Sequence, residues 1–180
     1  IDRPDSYPDG DMPTNPRWFS PPAFGMTSYS DIFTNRQLTA LSTFSELVSE
    51  VQKKAEVDAE QAGRFNDHIA LTEGGIGAKA YGEAIGVYLA FAIDKMVDYH
   101  STVCVWHTTR ELIANTMRRQ AIQMTWDYAE ANPLSTSAGS FSSMLSWIVK
   151  CVELLPTTGS ATVRQCDALS DNGLRNSMVS

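Results

Sequence analysis

The chain has 180 residues, of which 43% are hydrophobic and 19% are charged, so it can bury a core and form a globular domain. Its formal net charge of −7 excludes the overall basic balance that is typical of nucleic-acid-binding domains. Cys104, Cys151 and Cys166 include no C-x-x-C pair, and we expect reduced thiols in a cytoplasmic protein. The most apolar stretch, residues 84–93, is too short to span a membrane, so no membrane contact is expected.

Residues 1–30 contain six of the eight prolines together with Gly10 and Gly25, a composition that excludes a long helix. The same stretch carries several large apolar side chains, which are Trp18, Phe19, Phe24, Met26 and Tyr29. A pure linker would lack them. We therefore predict an extended arm whose aromatic side chains pack on the rest of the domain.

Three long helices are predicted from apolar residues that recur every three or four positions, over residues 34–62, 78–99 and 141–155. Thr34 and Gln37 form a capping-box pattern at the start of the first helix, and Gly63 marks its end. The second helix is apolar nearly all round, and its small residues Gly82 and Gly86 would let a neighbour approach closely. Residues 63–77 are glycine-rich, and a plain connection is favoured over a phosphate cradle, because no Gly-Lys-Ser/Thr sequence follows.

The segment between the second and third helices has a weaker pattern. Residues 101–106 are either a last helical turn or a short extended piece. Thr108 and Thr109 can cap a further helix through Leu112 and Ile113, and residues 117–131 are predicted to be helical up to Asn132-Pro133.

Residues 161–166 are β-branched and alternating, which predicts one strand of an α/β sheet, and residues 177–180 can begin a second. The predicted fold is therefore mainly α, a helical bundle-like region followed by a short terminal β element. The corresponding divisions are an arm over residues 1–30, a helical domain over residues 31–156 and the start of an α/β sheet over residues 157–180.

Arg110, Arg118 and Arg119 form a local basic group in an acidic chain. Guanidinium groups bind phosphate with paired donors, so these residues are candidate nucleic-acid contacts. The alternative, which we favour from the sequence, is that they form salt bridges with acids such as Asp127 and Glu130. Trp106, Trp126 and Trp147 could stack on a base, but are more often anchors of a core.

No other group of residues indicates catalysis or a metal. His100 and Cys104 are four residues apart, but two ligands do not fix a tetrahedral ion. Asp94 and Asp98 share a helix face, where a solvated or salt-bridged edge is the simpler interpretation. Asp167 directly follows the predicted strand, at the strand end where α/β sheets bind ligands, and can accept hydrogen bonds from a nucleoside.

Several stretches of the chain resemble the Zn-ribbon-containing adenine-specific DNA methylases of bacteria and archaea. The stretches are residues 29–41 (YSDIFTNRQLTAL), 88–94 (YLAFAID), 98–102 (DYHST), 126–133 (WDYAEANP) and 163–168 (VRQCDA). Their order along residues 13–180 is as informative as any one of them.

The resemblance implies a role within an S-adenosylmethionine-dependent amino-methyltransferase. Such enzymes carry an F-x-G-x-G-like cofactor loop and a D-P-P-Y catalytic tetrapeptide, and neither occurs in this sequence. By this likeness Asp167 would lie beside the adenosine of the cofactor, with Cys166 where related enzymes commonly have Gly. We therefore expect an internal, non-catalytic helical region whose partners are the remainder of the methyltransferase and DNA; a helical interaction or scaffold module is the alternative.

Overall fold

The structure is a computed structural model that describes residues 1–15, 17–118 and 120–156. This part of the chain is mainly helical, as predicted. It contains three α-helices, which are α1 (Asn35–Gln61), α2 (Ala78–Val97) and α3 (Phe141–Leu154). Strands β1 (Val105–His107) and β2 (Leu112–Ala114) form a small antiparallel hairpin between α2 and α3. Short 3-10 helices lie at Pro21–Phe24, Tyr29–Ile32 and Leu71–Glu73.

Helix α1 begins at the predicted capping box. The Gln37 amide N–H donates to the Thr34 hydroxyl at 3.2 Å, and the Thr34 N–H donates back to Gln37 Oε1 at 2.8 Å. These two bonds satisfy backbone donors that the first turn leaves free. The helix ends at Ala62, where Gly63 takes a φ of 89° that favours glycine. Both predicted ends are confirmed.

Helix α2 packs against α1 and α3, which is the central position that its apolar sequence predicts. A Cβ added to Gly82 would lie 2.6 Å from the carbonyl oxygen of Gln52 on α1. The two backbones therefore approach too closely there for any side chain. A core of Leu41, Ala92, Met96 and Met144 joins the three helices, and we call it the helical core.

A second core, which we call the arm core, lies where the N-terminal arm meets the segment after α2. Its buried members are Met12, Ile32, Val103 and Ile122, and Phe19, Met26, Tyr29 and Phe33 pack against them. The expectation that the arm packs its aromatic residues is confirmed for Phe19 and Tyr29. Trp18 and Phe24 stay about half exposed.

The helices predicted over residues 108–113 and 117–131 are wrong. Residues 108–111 are the turn of the β-hairpin, and residues 117–118 and 120–131 are irregular, with an isolated parallel bridge between Phe19 and Ile122. Two backbone N–H groups of this segment bond to distant carbonyl groups. That of Ile122 donates to Trp18 O at 2.8 Å, and that of Ala129 donates to Cys104 O at 2.8 Å. For residues 101–106, the extended alternative holds from Val105 onward.

The predicted terminal strands, over residues 161–166 and 177–180, lie outside the described residues. The sheet seen within the described part of the chain is the internal hairpin of β1 and β2, which the sequence did not predict.

Candidate functional site

The β-hairpin carries one of the candidate arginines in its turn. Strand β1 pairs with β2 so that Trp106 faces Ile113 and His107 faces Leu112. The Arg110 N–H donates to His107 O at 3.1 Å and closes the turn, and Glu111 completes it with a φ of 50°. Because side chains alternate along a strand, His107 and Trp106 lie on opposite faces of the hairpin.

The end of α2 fixes the chain that leaves the hairpin. The Thr116 N–H donates to the carbonyl oxygen of Asp98 at 2.7 Å, and the Met117 N–H donates to its carboxylate at 2.6 Å. The Asn115 side-chain amide donates to the second carboxylate oxygen. Asp98 therefore holds the segment that carries Arg118. Asp94, which shares its helix face, is exposed and does not join it in a carboxylate pair.

Beneath this segment lies a small buried polar cluster of Ser101, Cys104 and Thr116. The hydroxyl groups of Ser101 and Thr116 are 2.7 Å apart, and Cys104 Sγ lies 3.3 Å from the Thr116 hydroxyl. Ser101 also accepts a bond from the Val103 N–H at 3.2 Å. The cluster satisfies its own donors and acceptors, which fixes the position of Thr116.

Thr116 also lines a polar cavity of about 290 Å³, which we call the arginine cavity. It is lined by Val103, His107, Arg110, Thr116, Arg118, Ala121 and Gln123. Two of the three candidate arginines thus line one cavity, although they come from different parts of the irregular segment. Arg119 lies outside the described residues.

The salt bridges favoured from the sequence do not form within the described part of the chain. There, Glu130 pairs with Arg36, and Lys54 pairs with Asp58. The hydrogen bond from Glu130 raises the pKa of Arg36 above its usual value. Neither Arg110 nor Arg118 is in an ion pair with any described residue. The cavity is therefore lined by two arginines that have no charge partner among the described residues, in a chain of net charge −7.

His107 contributes a further polar group to this cavity. Its Nδ1 is buried and has no hydrogen-bond partner among the described residues. A buried nitrogen without a partner costs about 1–3 kcal/mol whether it is a donor or an acceptor, so this atom is unsatisfied in either tautomer. No sequence motif had indicated this residue.

The glycine-rich connection between α1 and α2 does not resemble an anion cradle. The Asp67 carboxylate accepts hydrogen bonds from the N–H groups of Ile76, at 3.0 Å, and Ile69, at 3.2 Å. These bonds, that of Ile76 above all, lower the pKa of Asp67. The acceptor for the backbone donors before α2 is thus supplied by the chain itself, and an outside anion would have to displace it.

The three candidate tryptophans are not anchors of a core. Trp106, Trp126 and Trp147 expose 54%, 77% and 53% of their surface. Trp126 meets Phe24 edge to face, with ring centroids 5.2 Å apart. Since Trp106 lies on the hairpin face opposite His107, it is not part of the wall of the arginine cavity.

The remaining candidate residues do not extend the site. His100 is buried, and its Nε2 lies 2.8 Å from the carbonyl oxygen of Gly139, while burial lowers its pKa. Over residues 1–15, 17–118 and 120–156, no three His, Cys, Asp or Glu side chains are placed to hold a metal ion. In the same residues, no helix is long and apolar enough to cross a membrane. Asp167 lies outside the described residues.

Comparisons of the chain with protein-family models, with curated proteins and with solved structures found no match.

Proposed function

We propose that this chain is the helical region of an S-adenosylmethionine-dependent DNA adenine methyltransferase, and that it holds the DNA by its sugar-phosphate backbone. The observation that carries the proposal is the arginine cavity. Arg110 and Arg118 line it together, and neither forms an ion pair with a described carboxylate. The resemblance of residues 29–41, 126–133 and 163–168 to adenine-specific DNA methylases supports the assignment to this class.

The chemistry of arginine favours phosphate as the partner. A guanidinium group offers paired N–H donors in a fixed plane, which match two oxygens of a phosphate. Contacts of this kind set the position and orientation of a protein on DNA and carry no sequence information themselves. Since the whole chain is acidic, attraction to DNA would be confined to the neighbourhood of the cavity.

In this proposal the chemical step takes place elsewhere in a longer protein. Methyl transfer to an exocyclic amine needs a cofactor loop and a D-P-P-Y sequence to orient the extruded base, and neither occurs in these 180 residues. S-adenosylmethionine would bind to the longer protein with Asp167 beside its adenosine. The helical region would position the DNA and would not itself be catalytic.

The outer face of α3 supports a partner that covers it, as the remainder of such a methyltransferase would. Trp147 and Leu154, which are seven residues apart and so share one face of the helix, are exposed there, with Leu154 at 85%. Exposed apolar residues this close together mark interaction surfaces more often than free surface. This face also favours the second candidate function, a non-catalytic helical interaction or scaffold module.

The test is the binding of short duplex DNA to the 180-residue chain over a series of salt concentrations, measured by fluorescence anisotropy. Arg110→Met and Arg118→Met are each expected to weaken binding about tenfold, because each removes charge-assisted hydrogen bonds worth about 1.5 kcal/mol. Each should also lower the slope of log affinity against log salt by about 1.

Lys53→Met is the matched control, since it removes the same charge from an exposed position on α1. It should leave the affinity near that of the unaltered chain. Equal effects of all three substitutions would indicate unspecific attraction. Absence of binding at every salt concentration would contradict DNA contact by this region and favour the interaction module.

A further inference from the structure

We propose that the connection between α1 and α2 is a docking surface for a basic segment of a partner protein that carries apolar side chains. The surface has four exposed apolar side chains, those of Phe65, Ile69, Leu71 and Ile76, and we call it the tip patch. None of these residues lines the arginine cavity, so the tip patch is independent of the proposed DNA contact.

The tip patch concentrates exposed apolar surface in one short loop. Phe65 and Ile76 expose 60% and 66% of their surface, and Ile69 and Leu71 expose 43% and 40%. All four belong to residues 65–76. Single exposed apolar residues are ordinary on a protein surface, whereas several close together indicate an interaction surface.

Backbone contacts bring the two ends of the loop together. The Asp67 carboxylate accepts hydrogen bonds from the N–H groups of Ile69, at 3.2 Å, and Ile76, at 3.0 Å. The N–H of the first residue of α2 donates to Phe65 O at 2.9 Å, and Leu71 follows Ile69 by two residues. The four residues of the tip patch therefore lie close together at one end of the α1–α2 pair.

Side chains of both helices hold the loop in this conformation. The Leu71 N–H donates to the Glu83 carboxylate of α2 at 2.6 Å. The Asn66 side-chain amide donates to Glu56 of α1 at 3.1 Å and also to Glu60. A loop that is fixed at several points loses less conformational entropy when a partner docks, so the tip patch is preorganised for binding.

The charges around the tip patch indicate the kind of partner. Asp58 of α1 is paired with Lys54. The other charged side chains of residues 56–83 are five carboxylates and two cations, which are Glu56, Glu60, Asp67, Glu73 and Glu83 against Arg64 and Lys79. All five carboxylates lie on the loop or bond to it. The complementary partner therefore carries Lys or Arg around its apolar residues.

The same charge disfavours other occupants of the tip patch. DNA and anionic membranes carry negative charge and attract basic surfaces, not acidic ones. A second copy of the chain would bring two acidic rims together in a two-fold contact. A basic protein segment satisfies both the apolar residues and the charge around them.

The test is a titration of the ¹⁵N-labelled 180-residue chain with a short amphipathic peptide, followed by ¹H–¹⁵N NMR. The peptide has Leu at helical spacing and Lys at the other positions. A second peptide with the same Leu residues has Glu in place of Lys and is the control for charge. We expect shifts centred on residues 65–76 with the Lys peptide, and binding about tenfold weaker with the Glu peptide.

Two substitutions test the apolar anchors. Phe65→Ser and Ile76→Ser each remove an exposed side chain, and each should weaken binding of the Lys peptide about tenfold, as expected when an anchor is truncated. Phe91→Ser is the matched control, because Phe91 is 52% exposed on α2 outside the tip patch, and should leave the affinity unchanged. Far-UV circular dichroism checks that the three variants fold.

A third substitution tests the charge of the rim. Glu73→Gln removes an exposed carboxylate and should weaken binding of the Lys peptide about twofold at low salt and less at high salt. Glu50→Gln removes an exposed carboxylate from the middle of α1 and should have no effect.

Sedimentation of the chain at increasing concentration and binding to phosphatidylcholine–phosphatidylserine vesicles test the other occupants. Absence of binding by the Lys peptide, equal affinity for the two peptides, shifts centred on α2 or α3, or unchanged affinity in both tip variants would overturn the proposal. Self-association or vesicle binding that Ile76→Ser abolishes would also overturn it, and would assign the tip patch to a second copy or to a membrane surface.

Discussion

The helical region, α1 to α3, and the irregular region, which comprises residues 1–15, 17–34, 98–118 and 120–140, differ in the range of their hydrogen bonds. Within the helices, backbone N–H groups bond to the preceding turn. The irregular region has local turns, but it also has bonds between distant segments, as in Thr102 N–H to Ile32 O at 2.7 Å and Met12 N–H to Thr27 O at 2.7 Å. The first region is specified locally, and the second only when distant segments meet.

The two regions also differ in the polarity of their side chains. The helical core of Leu41, Ala92, Met96 and Met144 contains no polar side chain. The polar cluster and the arginine cavity lie in the irregular region, where side chains such as Arg110 and Arg118 come from turns. Turns on a rigid scaffold are where binding residues concentrate. Phe33 packs against both cores and connects the two regions.

The strongest test of this connection is Met96→Ala. Met96 is fully buried at the centre of the helical core, and its truncation is expected to cost about 3 kcal/mol of the free energy of unfolding. Met117→Ala, at a position that is 60% exposed, should change it by less than about 0.5 kcal/mol.

Urea unfolding of both variants would be followed by far-UV circular dichroism for the helices and by tryptophan fluorescence. Because Phe33 joins the two cores, we expect both signals to shift together in the Met96 variant. Separate midpoints would show that the regions unfold independently.

A second test breaks the attachment of the irregular region to α2. Asp98→Ala removes the acceptor of the Met117 N–H and of the Asn115 amide, and should cost about 2 kcal/mol. Asp94→Ala, one turn earlier and exposed, should cost less than about 0.5 kcal/mol. Chemical denaturation measures both. Similar values for the two variants would show that the carboxylate of Asp98 does not anchor the hairpin.

The sequence predicts the helical region well for a physical reason. Periodicity, the capping box at Thr34 and the stop at Gly63 are local signals, and each acts within a few residues of its cause. The irregular region lacks such signals, since the partner of Ile122 is Trp18. Residues 117–131 contain enough helix-compatible residues to suggest a helix, and contacts with distant segments, such as those with Trp18 and Cys104, decide against it.

The candidate site was predictable in part. Arg110 and Arg118 stand out by charge, but their common cavity depends on the hairpin, whose strands have three residues each and are too short for an alternation pattern. His107 belongs to no motif. Its place in the lining of the arginine cavity follows from the strand pairing, which only the packed structure reveals.

A third test uses pH to probe the contact between His100 and Gly139, which lies just before the start of α3. Burial lowers the pKa of His100 below 6.5, while in the unfolded chain it is about 6.5. Below that pH the unfolded state takes up a proton first, so stability falls as the pH drops from about 6.5 towards the folded pKa. Above about 6.5 the ring is neutral in both states, and its full contribution is present.

The slope from this one group is at most about 1.4 kcal/mol per pH unit. His100→Gln keeps a side-chain donor for Gly139 O and should flatten the profile, whereas His68→Asn at an exposed position should not. Urea midpoints measured over this pH range provide the check. An unchanged slope in the Gln variant would assign the acid sensitivity to other groups.

The smallest effect tests how closely α1 and α2 pack. A Cβ at Gly82 would meet backbone, the Gln52 carbonyl oxygen at 2.6 Å, while one at Gly86 would meet the end of the flexible Gln52 side chain at 2.9 Å. Alanine raises helix propensity equally at both positions, by up to about 1 kcal/mol. At Gly82 that gain is outweighed, because separating two backbones costs about 1–3 kcal/mol.

We therefore expect Gly82→Ala to lower the free energy of unfolding by about 1 kcal/mol and Gly86→Ala to leave it unchanged or raise it slightly. Thermal unfolding of the two variants side by side measures the difference, which cancels the common gain in propensity. If both variants were stabilised, the helices would have to move apart at little cost. The close approach of α1 and α2 at Gly82 would then not limit how these two helices pack.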